Sequence, residues 1–339
     1  MNLDVKPRPP SIRDVAALAN VSYQTVSRVL NDHPSIKPQT HQRVLDAIET
    51  LGYRPNAAAR ALAQNRSKLI GILTTSLQYY GPSAAVVSIQ QAAIEAGYWV
   101  SIANIDEDRP ESVQEGITRL RSQSVEGIVV IAPQQQIFDT LARLSINVPF
   151  VTLQGTLAAG DHALAVDQEV GARLAARHLI ELGHRSICQI AGPSHWIEAE
   201  ARSRGFAEEL AAQGLEVRPP IVGDWTAEFG YRAGAQVAAS GCTAVFCAND
   251  QMALGLLHAC HDDGRAVPAE LSVVGFDDIP EAAHMIPPLT TVRQDFALLG
   301  RRCVAVLLSS IEATEQVVPV SIAPELVVRA STAAPAVRS

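Results

Sequence analysis

Apolar positions in the first fifty residues recur at intervals of three and four, which is the spacing of amphipathic helices. Directly after Ser11, the residues Ile12, Val15, Ala16 and Ala19 form one apolar stripe. Ser11 is placed to cap this helix, because a serine hydroxyl accepts a hydrogen bond from a backbone N–H of the first turn. The pattern therefore predicts a short helix over 12–19.

The same spacing predicts two more helices, one over 23–30 and one that begins at Pro38 and ends at Gly52. Proline at the first position of a helix and glycine just beyond the last are typical of helix boundaries. In the second helix the inward-facing residues are Val26, Val29 and Leu30. In the third helix the predicted core face consists of Val44, Leu45, Ile48 and Leu51.

The second helix and the residue before it carry polar side chains that the apolar stripe leaves outside: Ser22, Tyr23, Gln24, Thr25, Ser27 and Arg28. Two helices joined by a tight turn are typical of a helix-turn-helix, whose second helix lies in the major groove of DNA. Glutamine pairs with adenine and arginine with guanine, whereas hydroxyl groups suit phosphate oxygens. From the pattern alone, a small helical bundle with a polar surface remains an alternative.

From Leu69 onward, apolar runs of strand length alternate with amphipathic stretches of helix length. The runs are LIGILTT, WVSIAN, GIVVIA, FVTLQ, ALAVD, ICQIAG, AVFCAND and LSVVGFDD. Strands without a polar face, separated by helices, indicate parallel sheets covered on both sides. Because roughly ten such strands exceed one ordinary sheet, we expect an α/β core of two doubly wound lobes.

Charge is divided unevenly along the chain. Residues 1–68 contain ten Lys and Arg against five Asp and Glu, whereas residues 69–339 contain 17 against 30. Only the first segment therefore has the balance of a phosphate-binding module. No apolar run approaches the ~20 residues of a membrane helix, and the N-terminus lacks the apolar segment of a secretory signal. We expect a cytoplasmic protein with no membrane partner.

The sequence gives no sign of an enzyme, a cofactor or a metal site. The motifs GxSxG, HExxH, GxGxxG after a strand and the P-loop are absent, and the nine histidines lack ligand spacing. The five cysteines form no CxxC pair and lie among apolar residues, so we expect buried, reduced thiols.

Polar residues stand at the ends of several predicted strands: Thr75, Gln154, Asp167, Asn249, Asp250, Asp277 and Asp278. Ligands of doubly wound sheets bind beyond the carboxyl ends of the strands, which makes these residues candidates for a cleft. Each one alone is equally suited to cap the next helix. Arg202 lies in the charged segment AEARSRG, which by itself is consistent with a solvated helix face.

Five segments together resemble the lac repressor family. DVAALANVSYQTVSRVLN and YRPNAAARALA resemble its DNA-binding module, and NDQMALG, SVVGFDD and IPPLTTVRQDF resemble its core. The resemblance implies a transcriptional regulator with a helix-turn-helix headpiece and a core similar to periplasmic sugar-binding proteins. The implied domains are the headpiece at 1–54, a hinge at 55–67, an N-terminal lobe at 68–166 and 295–322, a C-terminal lobe at 167–294 and 323–331, and a tail at 332–339.

For the headpiece, the resemblance implies that Tyr23, Gln24 and Arg28 contact bases of an operator. For the hinge, it implies a helix that folds when two copies pair in the minor groove. The DNA contacts implied there are Asn56, Ala59 and Leu62, of which the leucine inserts between base steps. The composition of this segment alone is equally consistent with a plain linker.

For the core, the resemblance implies an effector site made by Thr75, Pro82, Gln154, Arg202, Trp225, Asn249, Asp277, Gln294 and Phe296. Its polar groups are expected to bond sugar hydroxyls, with the indole ring of Trp225 against a pyranose face. The pocket departs from the family pattern at Ile131, Gln154, Val166 and Glu198. These departures leave the identity of the sugar open.

Reading a palindromic operator requires two headpieces, so we expect a homodimer. The sequence ends in STAAPAVRS without the leucine heptad helix of a family tetramer, which also favours a dimer. We expect a repressor of a sugar-utilisation operon that a small sugar effector releases from its operator. Two alternatives are an effector that tightens DNA binding instead, and a transport-type sugar-binding protein, which would lack the headpiece.

Overall fold

The structure is a computed structural model that describes residues 10–30, 34–53, 66–107, 109, 111–144, 146–153, 163–314 and 320–336. The chain divides into two compact units, residues 1–67 and residues 68–339. Over the described residues, no helix combines the length and apolar character needed to cross a membrane. The same residues include no cluster of His, Cys, Asp and Glu suited to a metal ion.

The first unit contains three helices, α1 (Ile12–Leu18), α2 (Tyr23–Leu30) and α3 (Pro38–Leu51). Ser11 caps α1 through a capping box, in which its hydroxyl accepts from the Asp14 N–H and the Asp14 carboxylate accepts from the Ser11 N–H at 2.7 Å. Gly52 ends α3 in the left-handed conformation, with φ of 60°. The small core consists of Val15, Ala16, Ala19, Val26, Val29, Val44 and Ala47.

The prediction for Leu45 was wrong. Its side chain is 40% exposed, whereas Val44 and Ala47 are buried and Ile48 packs beside them. Successive residues of a helix are separated by about 100°, so the inner face that includes Val44 and Ile48 continues through Ala47 and turns Leu45 outward. The sequence pattern favoured Leu45 because it is larger than alanine.

The first half of the second unit forms a five-stranded parallel sheet in the order β2-β1-β3-β4-β5. Its elements are β1 (Leu69–Thr74), α4 (Tyr80–Glu95), β2 (Trp99–Asn104), α5 (Glu111–Ser122), β3 (Gly127–Ile131), α6 (Gln135–Leu141), β4 (Phe150–Leu153) and β5 (Ala163–Leu164). Strand β3 is buried along its whole length, which explains its uniformly apolar sequence.

The second half forms a six-stranded sheet in the order β11-β10-β9-β8-β6-β7. Its elements are α7 (Gln168–Glu181), β6 (Ile187–Ala191), α8 (Ile197–Ala212), β7 (Ile221–Val222), α9 (Ala227–Ala239), β8 (Ala244–Cys247), α10 (Asp250–Asp262), β9 (Ser272–Asp277), a short 3-10 helix (Pro280–His284), β10 (Thr290–Arg293) and β11 (Glu325–Val327). The edge strand β11 runs antiparallel to β10, whereas the other pairs are parallel.

The chain passes between the two sheets three times. It leaves β5 for α7, returns after β10 through α11 (Phe296–Glu312), and passes from Ile322 to β11. Ile322 forms a parallel bridge with Val166 beside the first passage. Helix α11 packs on the first sheet, where Leu299, Cys303 and Leu307 share a core cluster with Ile70 and Ile72.

The predicted fold class, a helical headpiece followed by two doubly wound lobes, is confirmed. The apolar pattern did not predict β7, β10 or β11, because these strands are short and two of them border solvent. All five cysteines are buried and unbridged, as expected.

Candidate nucleic-acid face and ligand cavity

Helix α2 of the first unit has one apolar and one polar face. Val26 and Val29 are buried, whereas Tyr23, Gln24 and Arg28 are exposed on the other side. Tyr23 exposes 56% of its surface. The three residues predicted to contact bases therefore lie together on a free helix face.

Ser22 and Thr25 organise the start of α2. The Ser22 hydroxyl accepts a hydrogen bond from the Thr25 N–H at 3.1 Å and lies 2.9 Å from the Thr25 hydroxyl. Ser22 therefore caps the helix. Ser27 is half-buried on the same helix. Asn56, Ala59 and Leu62, the predicted minor-groove contacts, lie outside the described residues.

In the second unit, one cavity lies at the carboxyl ends of the strands of both sheets and encloses about 740 Å³ of empty space, part of it open to solvent. Its lining of aromatic and apolar side chains with a few polar groups is typical of sites for small organic ligands. The predicted effector residues among its lining are Pro82, Arg202, Trp225, Asn249, Asp277, Gln294 and Phe296. Of the strand-end residues, Asn249 and Asp277 line the cavity, whereas Thr75, Asp167, Asp250 and Asp278 are not among its lining residues.

Two predicted effector residues stand apart from this lining. Thr75 is buried behind the cavity, where its hydroxyl donates to Gln134 Oε1 at 3.0 Å, and it is not one of the lining residues. This hydrogen bond joins Thr75 to a residue that follows β3, so strand-end position alone did not bring it to the ligand space. Gln154 lies outside the described residues.

A ring of hydrogen bonds joins four polar residues on one wall of the cavity. Arg202 Nε donates to Gln168 Oε1 at 2.8 Å, and Gln168 Nε2 donates to Gln294 Oε1 at 2.9 Å. Gln294 Nε2 donates to Asp277 Oδ1 at 2.7 Å, and Arg202 Nη2 closes the ring on the same oxygen at 3.5 Å. Each side chain is therefore held in one orientation by its neighbours.

Arg202 is only 5% exposed, so the alternative of a solvated helix face is wrong. Its Nη1 donates to the carbonyl oxygen of Ala248, and its guanidinium lies 3.8 Å from the ring centroid of Phe276. Burial lowers the pKa of Arg202, an effect that Asp277 and Glu198 oppose. Each guanidinium nitrogen thus already donates within the protein.

Asp277 stands at the end of β9 with a φ of 111°, a conformation that is strained for any residue except glycine. Burial raises the pKa of its carboxyl to about 6, while the Arg202 guanidinium opposes the shift. The strain and the raised pKa occur at a cavity wall, where such features indicate a functional site.

Asn249 both caps a helix and lines the cavity, the two roles that its position at a strand end suggested. Its Oδ1 caps α10 by accepting from the Met252 N–H at 2.9 Å, and its Nδ2 donates to the Trp225 carbonyl at 3.0 Å. It also lines the cavity. The neighbouring Asp250 is fully buried and accepts from the Thr291 hydroxyl and the Ile279 N–H, which makes it a structural residue.

Trp225 is held over Gly192, because a Cβ on this glycine would lie 2.1 Å from the indole ring. Trp225 itself has a φ of 71°, a second left-handed non-glycine residue at the cavity. Its ring meets that of Trp196 edge to face at 5.4 Å between centroids. This arrangement presents a fixed aromatic surface to a ligand.

Other aromatic rings extend this surface. Tyr79 packs edge to face on Trp196 at 5.3 Å, and Tyr80 packs edge to face on Phe296 at 5.9 Å. Tyr79, Tyr80 and Trp196, like Gln168 in the ring, were not singled out from the sequence. Tyr79 and Trp196 directly precede α4 and α8, a position at which side chains face the cleft.

Three of the four departures from the family pattern, Ile131, Val166 and Glu198, line the cavity. Glu198 lies in the first turn of α8, and burial raises the pKa of its carboxyl. Its Oε2 is enclosed and has no hydrogen-bond partner within the described part of the chain, and the same holds for Trp225 Nε1. One acceptor and one donor among the lining side chains thus remain unpaired.

Two family models match the chain. Residues 11–56 match bacterial regulatory proteins of the lacI family, and residues 176–332 match a periplasmic binding protein-like domain. The lactose operon repressor of Escherichia coli (strain K12) is 36% identical over 335 residues, which cover 97% of this chain and 92% of that protein. The transcriptional repressor PurR of Haemophilus influenzae (strain PittEE) is 34% identical over 95% of this chain and 98% of its own length.

Solved structures show the same likeness. The lac repressor dimer bound to operator and the anti-inducer ONPF superposes with a TM-score of 0.87 at 35% identity, covering 96% of this chain and all of that one. A complex of the transcriptional regulator CelR with cellobiose superposes with a TM-score of 0.70 at 30% identity, covering 95% of this chain and 99% of that one.

Proposed function

Since this chain belongs to the lacI family of bacterial regulatory proteins, we propose what it senses and how it responds. It is a DNA-binding transcriptional repressor, as its relatives are, and not an enzyme. We infer that its effector is a small sugar or glycoside that binds in the cavity of the second unit. Binding releases the repressor from the operator of a sugar-utilisation operon in the cytoplasm.

The observation that carries this proposal is the combination of a fixed aromatic surface with a ring of ordered polar groups. Trp225 offers an apolar face of the size of a pyranose ring, and Asp277 and Asn249 stand beside it with hydrogen-bonding atoms. Sugar sites need this combination, because a pyranose has an apolar face and a rim of hydroxyl groups. Cellobiose in the CelR complex supports a saccharide ligand.

On the DNA side, we propose that Tyr23, Gln24 and Arg28 contact bases of a palindromic operator. Ser22, Thr25 and Ser27 stand beside the phosphates, where backbone groups of the helix start also bind. Asn56, Ala59 and Leu62 are proposed to act in the minor groove from a hinge helix. The exposed face of α2 supports the first part of this assignment.

We further propose that the working species is a homodimer, because a palindrome presents two equivalent half-sites to two headpieces. The effector acts by fitting one arrangement of the two lobes better than the other, which changes the spacing of the hinges. The dimeric lac repressor on its operator supports this assembly. Sedimentation at micromolar concentration should give the mass of two chains, and a four-chain mass would contradict the proposal.

Fluorescence anisotropy tests the function as a whole. The full chain is titrated onto a labelled duplex with two symmetric lac-type half-sites and onto an unrelated duplex of equal length. Galactosides, glucosides and cellobiose are then added to the bound complex. We expect tight binding to the first duplex, steep weakening with salt, and release by at least one glycoside.

Two results decide between the alternatives. If a glycoside tightens operator binding, the effector is a corepressor and not an inducer, and the family assignment is unchanged. Binding to both duplexes with equal affinity would contradict sequence-specific recognition by α2.

A further inference from the structure

The cavity contains an acceptor that no described residue satisfies. Glu198 lines it from the first turn of α8, and its Oε2 has no hydrogen-bond partner among the residues that the structure describes, although it is shielded from solvent. An enclosed carboxylate oxygen without a donor is costly, because it has lost its hydration and gained nothing in return. Such an atom in a ligand cavity is therefore a candidate contact for the ligand.

A donor in the same cavity is also unsatisfied. Trp225 is 5% exposed, and its Nε1 has no acceptor among the described residues. The rings of Trp225 and Trp196 touch, and Trp196 is the residue that precedes α8, two positions before Glu198. The two unpaired atoms thus belong to neighbouring parts of one wall. A polyhydroxylated ring supplies both a donor and an acceptor and can satisfy them together.

The formal charges of the cavity lining exclude one class of ligand. Its charged side chains are Glu198, Arg202 and Asp277. Arg202 is committed to Asp277, and each of its nitrogens already donates to a protein oxygen. No guanidinium nitrogen is therefore left free for an anion. The Glu198 carboxyl, whose pKa burial raises, supplies no positive charge either.

Carboxyl groups lie near the Tyr80 side of the cavity. Burial raises the pKa of the Tyr80 hydroxyl, and Asp277, Asp250, Asp278 and Glu281 raise it further. Asp278 is paired with Arg293 and Arg329, and burial raises the pKa of Asp250 well above its usual value, so Asp277 is the member of this group that an anion in the cavity would meet. A phosphate or carboxylate brought into this space would lose its hydration and meet like charge.

We propose that Glu198 determines the effector class of this repressor. Its carboxylate accepts a hydrogen bond from a hydroxyl or ammonium group on the sugar, so the cavity takes neutral or amino sugars and rejects sugar phosphates and uronic acids. The inference rests on the proposed sugar-sensing function and narrows it. Glu198 acts by direct contact, while Trp225 Nε1 can donate to a ligand oxygen that lies in the plane of the indole.

The test uses the full chain and three matched sets of hexoses, measured by calorimetric titration. The neutral probes are methyl glucoside and methyl galactoside, the cationic probes are glucosamine and galactosamine, and the anionic probes are the 6-phosphates of glucose and galactose. Each probe is titrated into the native protein, Glu198→Ala and Glu198→Gln. Glu200→Gln is the matched control, because Glu200 lies in the same helix turn but is exposed.

For a neutral or amino sugar that binds the native protein, Glu198→Ala should weaken binding by about tenfold to a hundredfold, the range for a hydrogen bond to a charged group. Glu200→Gln should leave the affinity unchanged. Glu198→Gln keeps an acceptor oxygen without the charge. It therefore distinguishes a hydroxyl donor from an ammonium donor on the sugar. A loss below about tenfold indicates a hydroxyl, and a loss as large as that of Glu198→Ala indicates an ammonium group.

The 6-phosphates should bind the native protein weakest of the three sets and gain affinity in Glu198→Gln. The inference is overturned when a phosphate binds the native protein as tightly as its neutral counterpart. It is also overturned when a sugar binds both Glu198 variants with native affinity. Failure of every saccharide to bind the native protein would instead overturn sugar sensing itself. Unchanged unfolding temperature and operator affinity show that the variants are folded.

Discussion

Arg202 and Asp277 form an ion pair inside the protein, with Nη2 and Oδ1 3.5 Å apart, and Gln168 and Gln294 connect the two residues a second time through their amides. At this distance, the ion pair alone would not hold the Arg202 and Asp277 side chains in one orientation. The amides fix both partners, because each amide accepts from one neighbour and donates to the next. The geometry of the wall therefore depends on uncharged residues as much as on the ions.

Removal of Gln168 should destabilise the second unit. Gln168→Ala leaves Arg202 Nε and Gln294 Oε1 without partners, so the free energy of unfolding should fall by about 1–3 kcal/mol. Urea denaturation followed by circular dichroism measures the change. Gln236→Ala, on the exposed side of α9, should stay within about 0.5 kcal/mol of the native protein. Equal effects of the two substitutions would contradict a stabilising ring.

Gly192 should tolerate no side chain. Its Cβ would lie 2.1 Å from the Trp225 ring, so Gly192→Ala must displace the indole and should cost about 1–3 kcal/mol of stability together with effector affinity. Thermal unfolding and glycoside titration report the two losses. For stability alone, Gly81→Ala is the comparison, because a Cβ there meets nothing within 4 Å and a helical alanine stabilises by up to about 1 kcal/mol. A native-like Gly192→Ala would show that Trp225 is not fixed by this contact.

The pH dependence of stability should change in Asp277→Asn. Burial raises the pKa of Asp277 from 3.8 to about 6, so the folded protein holds this proton at pH values where the unfolded chain has released it. The contribution of Asp277 to stability is therefore present at low pH and lost as pH rises from about 4 to about 6. Asparagine resembles the protonated carboxyl and does not titrate.

Between pH 5 and pH 7.5, the native protein should consequently lose about 1.4 kcal/mol relative to Asp277→Asn. Urea denaturation of both proteins at the two pH values gives this difference. His178 and His184, whose pKa values burial lowers, occur in both proteins and affect both curves alike. A difference that is constant with pH would mean that Asp277 is ionised at pH 5 in the folded state.

Base contacts by α2 are tested by single substitutions. Gln24→Ala and Arg28→Ala should each weaken binding to the symmetric operator by about 1–3 kcal/mol, with a much smaller change on unrelated DNA. Anisotropy titration at a fixed salt concentration measures the affinity for the operator and the affinity for unrelated DNA. Gln42→Ala, an exposed glutamine of α3, is the control and should leave operator affinity near the native value. If the variants lose as much on unrelated DNA, these residues bind phosphate and do not read sequence.

Local sequence predicted what depends on local physics. The cap at Ser11, the proline at the start of α3 and the glycine at its end could be placed because each satisfies backbone groups within one turn. The prediction that Leu45 faces the core was wrong, since the size of a hydrophobic residue does not show which side of a helix faces the core. The uniformly apolar strands predicted two parallel sheets, but not the antiparallel edge strand β11.

The cavity was predictable only in part. Strand ends and the family resemblance indicated Arg202, Asn249 and Asp277, which line it. Gln168 was missed because its partner Gln294 is 126 residues away, and no local pattern reports such a pairing. The sequence showed that Glu198 departs from the family pattern. That its oxygen is unpaired can be seen only from the positions of the residues around it. The lobe boundaries and the hinge contacts stay predictions.

The three passages of chain between the sheets run beside the cavity. Val166 and Gln168 belong to the first passage, Gln294 and Phe296 flank the second, and all four line the ligand space. The third passage is joined to the first by the bridge from Ile322 to Val166. Any rotation of one sheet against the other must change backbone torsions at these crossings. A bound molecule that touches the pivot itself needs no large contact area to select an angle between the lobes.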